Sequence, residues 1–330
     1  MFVRASLLIL LVVVLLGCIL SKNTATETGR PTTLNAQAKS DSLWEKQTSE
    51  VTNRLNAVYF ADEMNGWAVG EGGAVISTSD GGSTWKSVVQ GDFRWWSLRS
   101  VFFISPQKGW VVGREHFLAI LSTSDKARNL KRQYRGGPGS LNSVFFSDQK
   151  SGWVVGSQGI VLHTFDGGLS WKPVNINNTN ALHRIYFLDP QRGWIVGEQG
   201  SILFTDNGGL NWVLQTSRTN QSLRDVKFLD EKTGWVVGDN GTILHTSDGG
   251  QSWIKQSSNV QSNLYSLYFV NREIGWIVGA SGLILHTQDG GQTWAVQSSG
   301  TSSDLLSIHF VKASGWIVGA DGIILRLVNH

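Results

Sequence analysis

The chain repeats one short motif, Gly-Trp-x-Val-Gly, seven times, and this repeat constrains the fold more than any other feature. Its tryptophans lie 40 to 43 residues apart and are Trp67, Trp110, Trp153, Trp194, Trp235, Trp276 and Trp316. A repeat of about 40 residues in a chain rich in glycine and β-branched residues is typical of β-propellers, in which each repeat forms a four-stranded blade. Seven copies therefore predict an all-β, seven-bladed β-propeller.

Each repeat contains three further stretches with strand-like patterns. The motif is preceded by spaced apolar residues, such as Leu55, Val58 and Phe60, which predict an inner strand with one buried face. It is followed, through a glycine turn, by stretches such as residues 242–246, and then by a fourth strand that opens near Trp253 in this repeat. We therefore assign four strands to each blade.

A second motif, the Asp box Thr-x-Asp-x-Gly-x-Ser/Thr-Trp, joins the last two strands of five repeats. The central residues of these boxes are Asp80, Asp166, Asn207, Asp248 and Asp289. We expect their side-chain oxygens to accept backbone N–H hydrogen bonds within the turn, while the glycines adopt positive φ angles. The alternative, a catalytic or metal-binding ring of carboxylates, is disfavoured because the boxes belong to the outer hairpins of separate blades.

The N-terminal end of the repeat region is predicted to close the ring. The last repeat, around Trp316, has only three strand-like stretches, whereas residues 43–47 resemble the fourth strand that opens at Trp253. Residues 43–47 would therefore supply the outer strand of the last blade, which removes an unpaired sheet edge. The propeller is accordingly predicted to span residues 43–330, and we expect it to be a monomer.

The 42 N-terminal residues have the pattern of an exported lipoprotein. Residues 1–17 place one basic residue before an apolar run that is short for a membrane span and typical of a signal peptide. The run ends in Leu15-Leu16-Gly17-Cys18, and Cys18, the only cysteine, is the predicted lipidation site. Residues 18–42 are polar and predict a flexible tether. An ordinary secretory signal or an uncleaved anchor, with an incidental cysteine, is the alternative. The lipoprotein signal and this alternative both predict export.

The second repeat departs from the pattern in sequence and in charge. Its Asp box has diverged, with Lys126 and Ala127 in place of the glycine pair and no tryptophan after it. Residues 92–140 contain nine lysines and arginines but three aspartates and glutamates, a net charge of +6 in a chain whose total is +3. Such a charge favours an acidic partner protein or an anionic membrane surface. Nucleic acid is disfavoured because the chain is predicted to be exported.

The candidate partner-binding residues are basic and aromatic side chains of this repeat, together with two arginines expected to line the central channel or its rim. They are Arg94, Trp95, Trp96, Arg99, Arg114, Arg128, Lys131, Arg132, Arg135, Arg184 and Arg224. The alternative is a diverged blade whose charges are merely solvated. In that case Trp95 and Trp96 would belong to the core.

The sequence offers no arrangement that favours catalysis. Asp-box glycosidases need paired carboxylates, or a tyrosine–glutamate pair beside an arginine cluster, at the channel mouth. Acidic residues and tyrosines such as Glu71 and Tyr59 recur at fixed repeat positions and are expected to form turns and packing contacts. His163, His245 and His286 share one position in three blades, too far apart to bind one metal ion. We therefore expect no enzyme, cofactor or metal.

The tandem motifs, with Thr-x-Asp-Gly-Gly-x-Thr-Trp at residues 287–294, resemble the photosystem II assembly and stability factor family of cyanobacteria and chloroplasts. The resemblance covers residues 43–328. It implies a non-enzymatic factor at the lumenal or periplasmic membrane face that binds newly made reaction-centre subunits during assembly or repair. The alternative is an extracytoplasmic protein- or glycan-binding lipoprotein of a non-photosynthetic bacterium, and an Asp-box glycoside hydrolase is a third.

Overall fold

The computed structural model describes residues 43–88 and 94–328, which form seven four-stranded antiparallel sheets. Six sheets are built from consecutive strands, and the seventh combines the last three strands with the first. The predicted seven-bladed propeller is thus confirmed, with the first strand of each repeat lining a central channel. The predicted signal peptide, Cys18 and the tether lie outside the described residues.

The blades are numbered in chain order, and their strands fall into four concentric sets. The inner strands are β2 (Leu55–Phe60), β6 (Ser97–Phe103), β10 (Leu141–Phe146), β14 (Leu182–Phe187), β18 (Leu223–Phe228), β22 (Leu264–Phe269) and β26 (Leu305–Val311). The second strands are β3 (Gly66–Gly70), β7 (Gly109–Arg114), β11 (Gly152–Gly156), β15 (Gly193–Gly197), β19 (Gly234–Gly238), β23 (Gly275–Gly279) and β27 (Ser314–Gly319).

The third strands are β4 (Val75–Thr78), β8 (Leu118–Thr123), β12 (Val161–Thr164), β16 (Ile202–Thr205), β20 (Thr242–Thr246), β24 (Ile284–Thr287) and β28 (Ile324–Leu327). The outer strands are β5 (Lys86–Ser87), β9 (Lys131–Arg135), β13 (Lys172–Pro173), β17 (Val213–Gln215), β21 (Ile254–Gln256), β25 (Ala295–Gln297) and, in blade seven, β1 (Trp44–Lys46). Three single-turn 3₁₀ helices span Ser157–Gly159, Ala280–Gly282 and Ala320–Gly322. No helix in the described part of the chain is long and apolar enough to cross a membrane.

Close packing explains both glycines of the repeated motif. In blade one every residue of Gly66–Gly70 is buried. A Cβ atom on Gly66 would lie 2.4 Å from the ring of Phe60, and one on Gly70 would lie 1.9 Å from the carbonyl oxygen of Arg54. Because neither position has room for a side chain, the inner strand fixes the two glycines at the ends of the second strand.

The tryptophan of the motif joins each blade to the next. It stacks on the phenylalanine of the following inner strand, with centroid separations from 3.5 to 5.6 Å. The pairs are Trp67–Phe103, Trp110–Phe146, Trp153–Phe187, Trp194–Phe228, Trp235–Phe269, Trp276–Phe310 and Trp316–Phe60. Since the last pair joins blade seven to blade one, the series of stacks closes on itself.

A second tryptophan packs edge-on against the same phenylalanine in most blades. In blade one, Trp85 meets Phe60 at 87° and 5.7 Å. Blade seven has no Asp box of its own, and Trp44 takes this role against Phe310 at 84° and 6.2 Å. Strand β1 also pairs antiparallel with β28, Trp44 opposite Leu327. The predicted N-terminal closing strand is therefore in place.

The Asp boxes are hydrogen-bonded turns, as predicted. In blade five, Asp248 Oδ1 accepts the Ser252 N–H at 2.9 Å and the Thr246 hydroxyl at 2.8 Å. The two glycines that follow have φ angles of 75° and 87°. Hydrogen bonds, the side-chain hydroxyl foremost, lower the pKa of Asp166, Asp248 and Asp289 to about 2. For Asp80 burial raises the pKa, but the hydrogen bonds outweigh it and lower the pKa to about 2.

Blade two keeps the Asp-box geometry although its sequence departs from the motif. Asp125 Oδ1 accepts the Thr123 hydroxyl at 2.7 Å and the Asn129 N–H at 3.0 Å. Lys126 and Ala127 occupy the glycine positions with φ angles of 66° and 65°, a region that is strained for residues with a side chain. The divergence expected from sequence therefore concerns the residues of this turn and leaves its hydrogen bonds intact.

Replacing Asp80, Asp166, Asp248 and Asp289 together by asparagine tests the contribution of the four boxes. Their folded-state pKa of about 2 lies below the ordinary value of 3.8, so their stabilisation is present above about pH 4 and is lost as the pH falls toward about 2. The variant should therefore lose less thermal stability than the parent between about pH 5 and about pH 2, which is the range over which these groups titrate. Melting temperatures across that range measure the difference.

A variant with four exposed carboxylates neutralised outside the boxes controls for net charge. It carries Glu45→Gln, Glu50→Gln, Glu198→Gln and Glu273→Gln. This control should retain the acid sensitivity of the parent chain. If the melting temperature of both variants fell equally little with pH, overall charge and not the boxes would govern the acid response.

Candidate functional site

The strand register divides the propeller into two faces. In blade two, Ser97, Arg114 and Leu118 are neighbours at one end of the sheet, while Phe103 and Thr123 lie at the other. We call the first the mouth face, because every inner strand begins there, and the second the Asp-box face. Strands of six residues are about 20 Å long, so side chains on the two faces are separate surfaces.

The mouth of the channel is surrounded by one residue from each blade. This residue follows the leucine of each inner strand, where the pairing with the second strand is irregular, and the set is Asn56, Arg99, Asn142, His183, Arg224, Tyr265 and Leu306. Several of these side chains bridge blades. Asn56 Nδ2 donates to the carbonyl oxygen of Leu98 in the next blade at 2.8 Å.

Most cations on one side of the mouth are matched by carboxylates. Arg224 forms a two-pronged pair with Asp239 at 2.9 and 2.8 Å. Arg54 lies 3.8 Å from Asp304. Burial, reinforced by the charge of Arg224, lowers the pKa of His183 to about 4, so this imidazole is neutral at pH 7. This side of the mouth therefore has little excess charge.

The blade-two side of the mouth carries the unmatched charge. Arg99 and Arg114 form no ion pair within 4 Å among the described residues. Burial lowers the pKa of Arg99, Glu71 opposes this effect, and the neighbouring Arg114 and Arg54 add to it. Arg135 ends the outer strand at the same edge, with its guanidinium 4.5 Å from the ring of Phe117.

The approach to the inner strand completes this surface. Arg94 is exposed, and Trp95, at 75% exposure, is among the most exposed large apolar side chains of the described residues. We use the name mouth cluster for the residues that share this corner, Arg94, Trp95, Arg99, Arg114 and Arg135. An exposed indole amid guanidinium groups is a combination enriched in protein–protein interfaces.

The structure places the candidate basic residues of blade two on two different faces. Arg128 lies in the Asp-box turn of blade two, and Lys131 begins the outer strand opposite Ser122, so both belong to the Asp-box face. Arg132 is paired with Glu115 at 3.1 Å. The +6 net charge of this repeat is therefore divided between two faces, because alternating hairpins carry consecutive loops to opposite ends of the blade.

Trp96 also differs from the interfacial role predicted for it. It is 5% exposed and packs in the core between blades one and two, with Trp67 and Phe103 in the same cluster. The guanidinium of Arg132 covers its ring at 4.9 Å. The alternative of a core residue therefore holds for Trp96 and not for Trp95.

Arg184 lies inside the channel and not in the mouth cluster. Its Nε atom is 3.0 Å from Asp225 Oδ1. Sequence reasoning missed Asp225, Lys227 and His309, which also line the channel. The signal was present, because aligned inner strands place each of them where other repeats have serine or an aromatic residue.

No group of three or more histidine, cysteine or acidic side chains within residues 43–88 and 94–328 is arranged to hold a metal ion.

Comparison with known proteins relates this geometry to one family. A model described as photosynthesis system II assembly factor YCF48 matches residues 36–136, 138–217, 169–257, 214–298 and 255–329. A solved structure described as YCF48 bound to D1 peptide is 24% identical, with a TM-score of 0.75 over 87% of this chain and 97% of that one. YCF48 from Cyanidioschyzon merolae is 21% identical, with a TM-score of 0.73 over 86% and 98%.

The same fold also occurs in an enzyme. The GH74 enzyme of Niastella koreensis is 12% identical and has a TM-score of 0.68, over 86% of this chain and 53% of its own. Structural likeness at this level concerns the fold alone. No curated protein matches the chain in sequence.

Proposed function

Because the chain belongs to the photosynthesis system II assembly factor YCF48 family, we propose that it is a non-enzymatic factor that binds newly made reaction-centre subunits of photosystem II during assembly or repair. The family match carries this proposal. A structure of the same fold that is described as bound to a D1 peptide supports it. Binding would need a surface for an extended segment of another protein, and no chemical step.

The mouth cluster is the surface that we propose for this contact. Its residues Arg99, Arg114 and Arg135 form no ion pair among the described residues, so an acidic segment would be attracted to it and bound with complementary charge. Trp95 would supply the apolar anchor at its edge, since a large exposed indole loses water-accessible area when a partner covers it. The paired charges on the other side of the mouth would contribute less, because their carboxylates already neutralise them.

Charge reversal on the two faces tests this assignment. Arg94→Glu, Arg114→Glu and Arg135→Glu together should slow association with a labelled D1 peptide by about tenfold or more at low salt, because steering by surface charge acts mainly on the on-rate. The difference should shrink as salt is raised above about 0.15 M. Stopped-flow association rates and melting temperatures measure both effects.

The matched control reverses three exposed cations on the Asp-box face. Arg128→Glu, Lys131→Glu and Lys150→Glu change the net charge by the same amount. We expect this variant to bind nearly as the parent chain does, and both variants to melt near the parent temperature because exposed charges contribute little to stability. Equal losses in the two variants would show a net-charge effect, and a loss confined to the control would place the contact on the other face.

We also propose that the chain is exported and anchored at the lumenal or periplasmic membrane face by lipid on Cys18. The support is the apolar run that ends in Leu15-Leu16-Gly17-Cys18 and the polar stretch after it. A tether alone provides no membrane affinity, whereas two or more acyl chains hold a protein stably. Cys18→Ser should therefore move the protein from the membrane fraction to the soluble fraction, with Ser21→Ala as a control that stays bound. A Cys18→Ser protein that resists a high-salt wash would contradict the anchor.

A further inference from the structure

The fifth residue of most inner strands points into the channel, and together these residues form a closed ring. The ring consists of Tyr59, Phe102, Phe145, Tyr186, Lys227, Tyr268 and His309. Each member contacts the next: the aromatic centroids are 4.7 to 5.8 Å apart. The ammonium of Lys227 lies 4.8 Å from the ring of Tyr186 and 5.0 Å from that of Tyr268.

Lys227 is the one cation in this ring, and no carboxylate forms an ion pair with it among the described residues. Asp225 attracts it from a distance but is already saturated. The two oxygens of Asp225 accept hydrogen bonds from Ser266 Oγ and from the N–H groups of Val226 and Leu267, and Arg184 Nε lies 3.0 Å away. Because Arg184 neutralises Asp225, the charge of Lys227 remains in excess.

The space beside Lys227 is lined by tyrosine hydroxyls and ring faces, together with Arg184, the Asp225 carboxylate and His309. A cavity of about 200 Å³ occupies this part of the channel, enough for a small ion and several waters. The hydroxyls of Tyr59 and Tyr268 have no hydrogen-bond partner among the described residues, yet neither oxygen is fully buried. The Tyr186 hydroxyl, by contrast, donates to the Phe228 carbonyl at 2.9 Å.

The titratable groups around the cavity leave one net positive charge. Burial lowers the pKa of Lys227 to about 8, so its ammonium stays protonated below neutral pH. Burial, with the charges of Lys227 and Arg184, lowers the pKa of His309 to about 3, so that imidazole is neutral. Burial raises the pKa of Tyr59 to about 12, which keeps its hydroxyl a donor.

We propose that the central channel binds a small monovalent anion, a halide or a carboxylate of acetate size, between the ammonium of Lys227 and the hydroxyls of Tyr59 and Tyr268. An ammonium whose contacts among the described residues are two ring faces gains from an anion, because charge-assisted hydrogen bonds are stronger than neutral ones. The anion would contact these groups from the cavity side of the ring. This site is separate from the mouth cluster and does not depend on what that surface binds.

Thermal melting of the full chain at pH 6.5 tests the site. Chloride, bromide or acetate is titrated against gluconate at constant ionic strength, so that only the identity of the anion changes. The melting temperature should rise and saturate with a small anion. Lys227→Met should raise the anion concentration needed for half-saturation by about tenfold or more. Tyr268→Phe should raise it less, because it removes one neutral donor.

Lys255→Met is the matched control, since it removes an exposed lysine from the outer strand of the same blade. It should respond to anions as the parent chain does. Saturation by halides but not acetate would identify a halide site, and the reverse a carboxylate site. If bromide saturates the response, a crystal of the parent chain grown with bromide should show anomalous density beside Lys227. Absence of that density despite a bromide response, no response to any of the three anions, or an anion response that Lys227→Met leaves unchanged would overturn the proposal.

Discussion

The stacking of one tryptophan on the phenylalanine of the next blade is the contact on which the rest of the structure depends. It occurs at all seven interfaces, and the pair Trp316–Phe60 joins the ends of the repeat. Stacked aromatic pairs add about 0.5–1.5 kcal/mol beyond the area that they bury. The glycine beside each tryptophan is required because the phenylalanine of the same blade covers it.

The packing requirements of the repeat leave particular positions free to vary between blades. The repeat uses the apolar face of each inner strand, both glycines of the second strand and the Asp-box turn. The residue after the inner-strand leucine and the ring residue that faces the channel differ more from blade to blade. Those positions hold Arg99 in blade two and Lys227 in blade five, where neighbouring blades have other side chains. The chemistry that distinguishes this propeller lies at these variable positions.

Much of the fold was predictable because the repeat itself encodes local packing. Spacing alone predicted seven blades, and the resemblance of residues 43–47 to an outer strand predicted the closing contact of Trp44. The candidate site was harder, because charge counted along a sequence ignores which end of a strand each loop occupies. Arg114 and Arg128 are close in sequence yet lie on opposite faces. Trp95 and Trp96 are adjacent, yet one is exposed and the other buried.

Hydrogen–deuterium exchange of the full chain, with and without a bound D1 peptide, tests the central claim that binding occurs at the mouth cluster. The peptides that contain residues 94–99 and 114–118 should gain protection, because a partner on the mouth face covers the loops that lead into and out of the blade-two strands. The Asp-box turn of the same blade, residues 124–130, should exchange as in the free protein. Protection confined to that turn, with none at the mouth, would contradict the account.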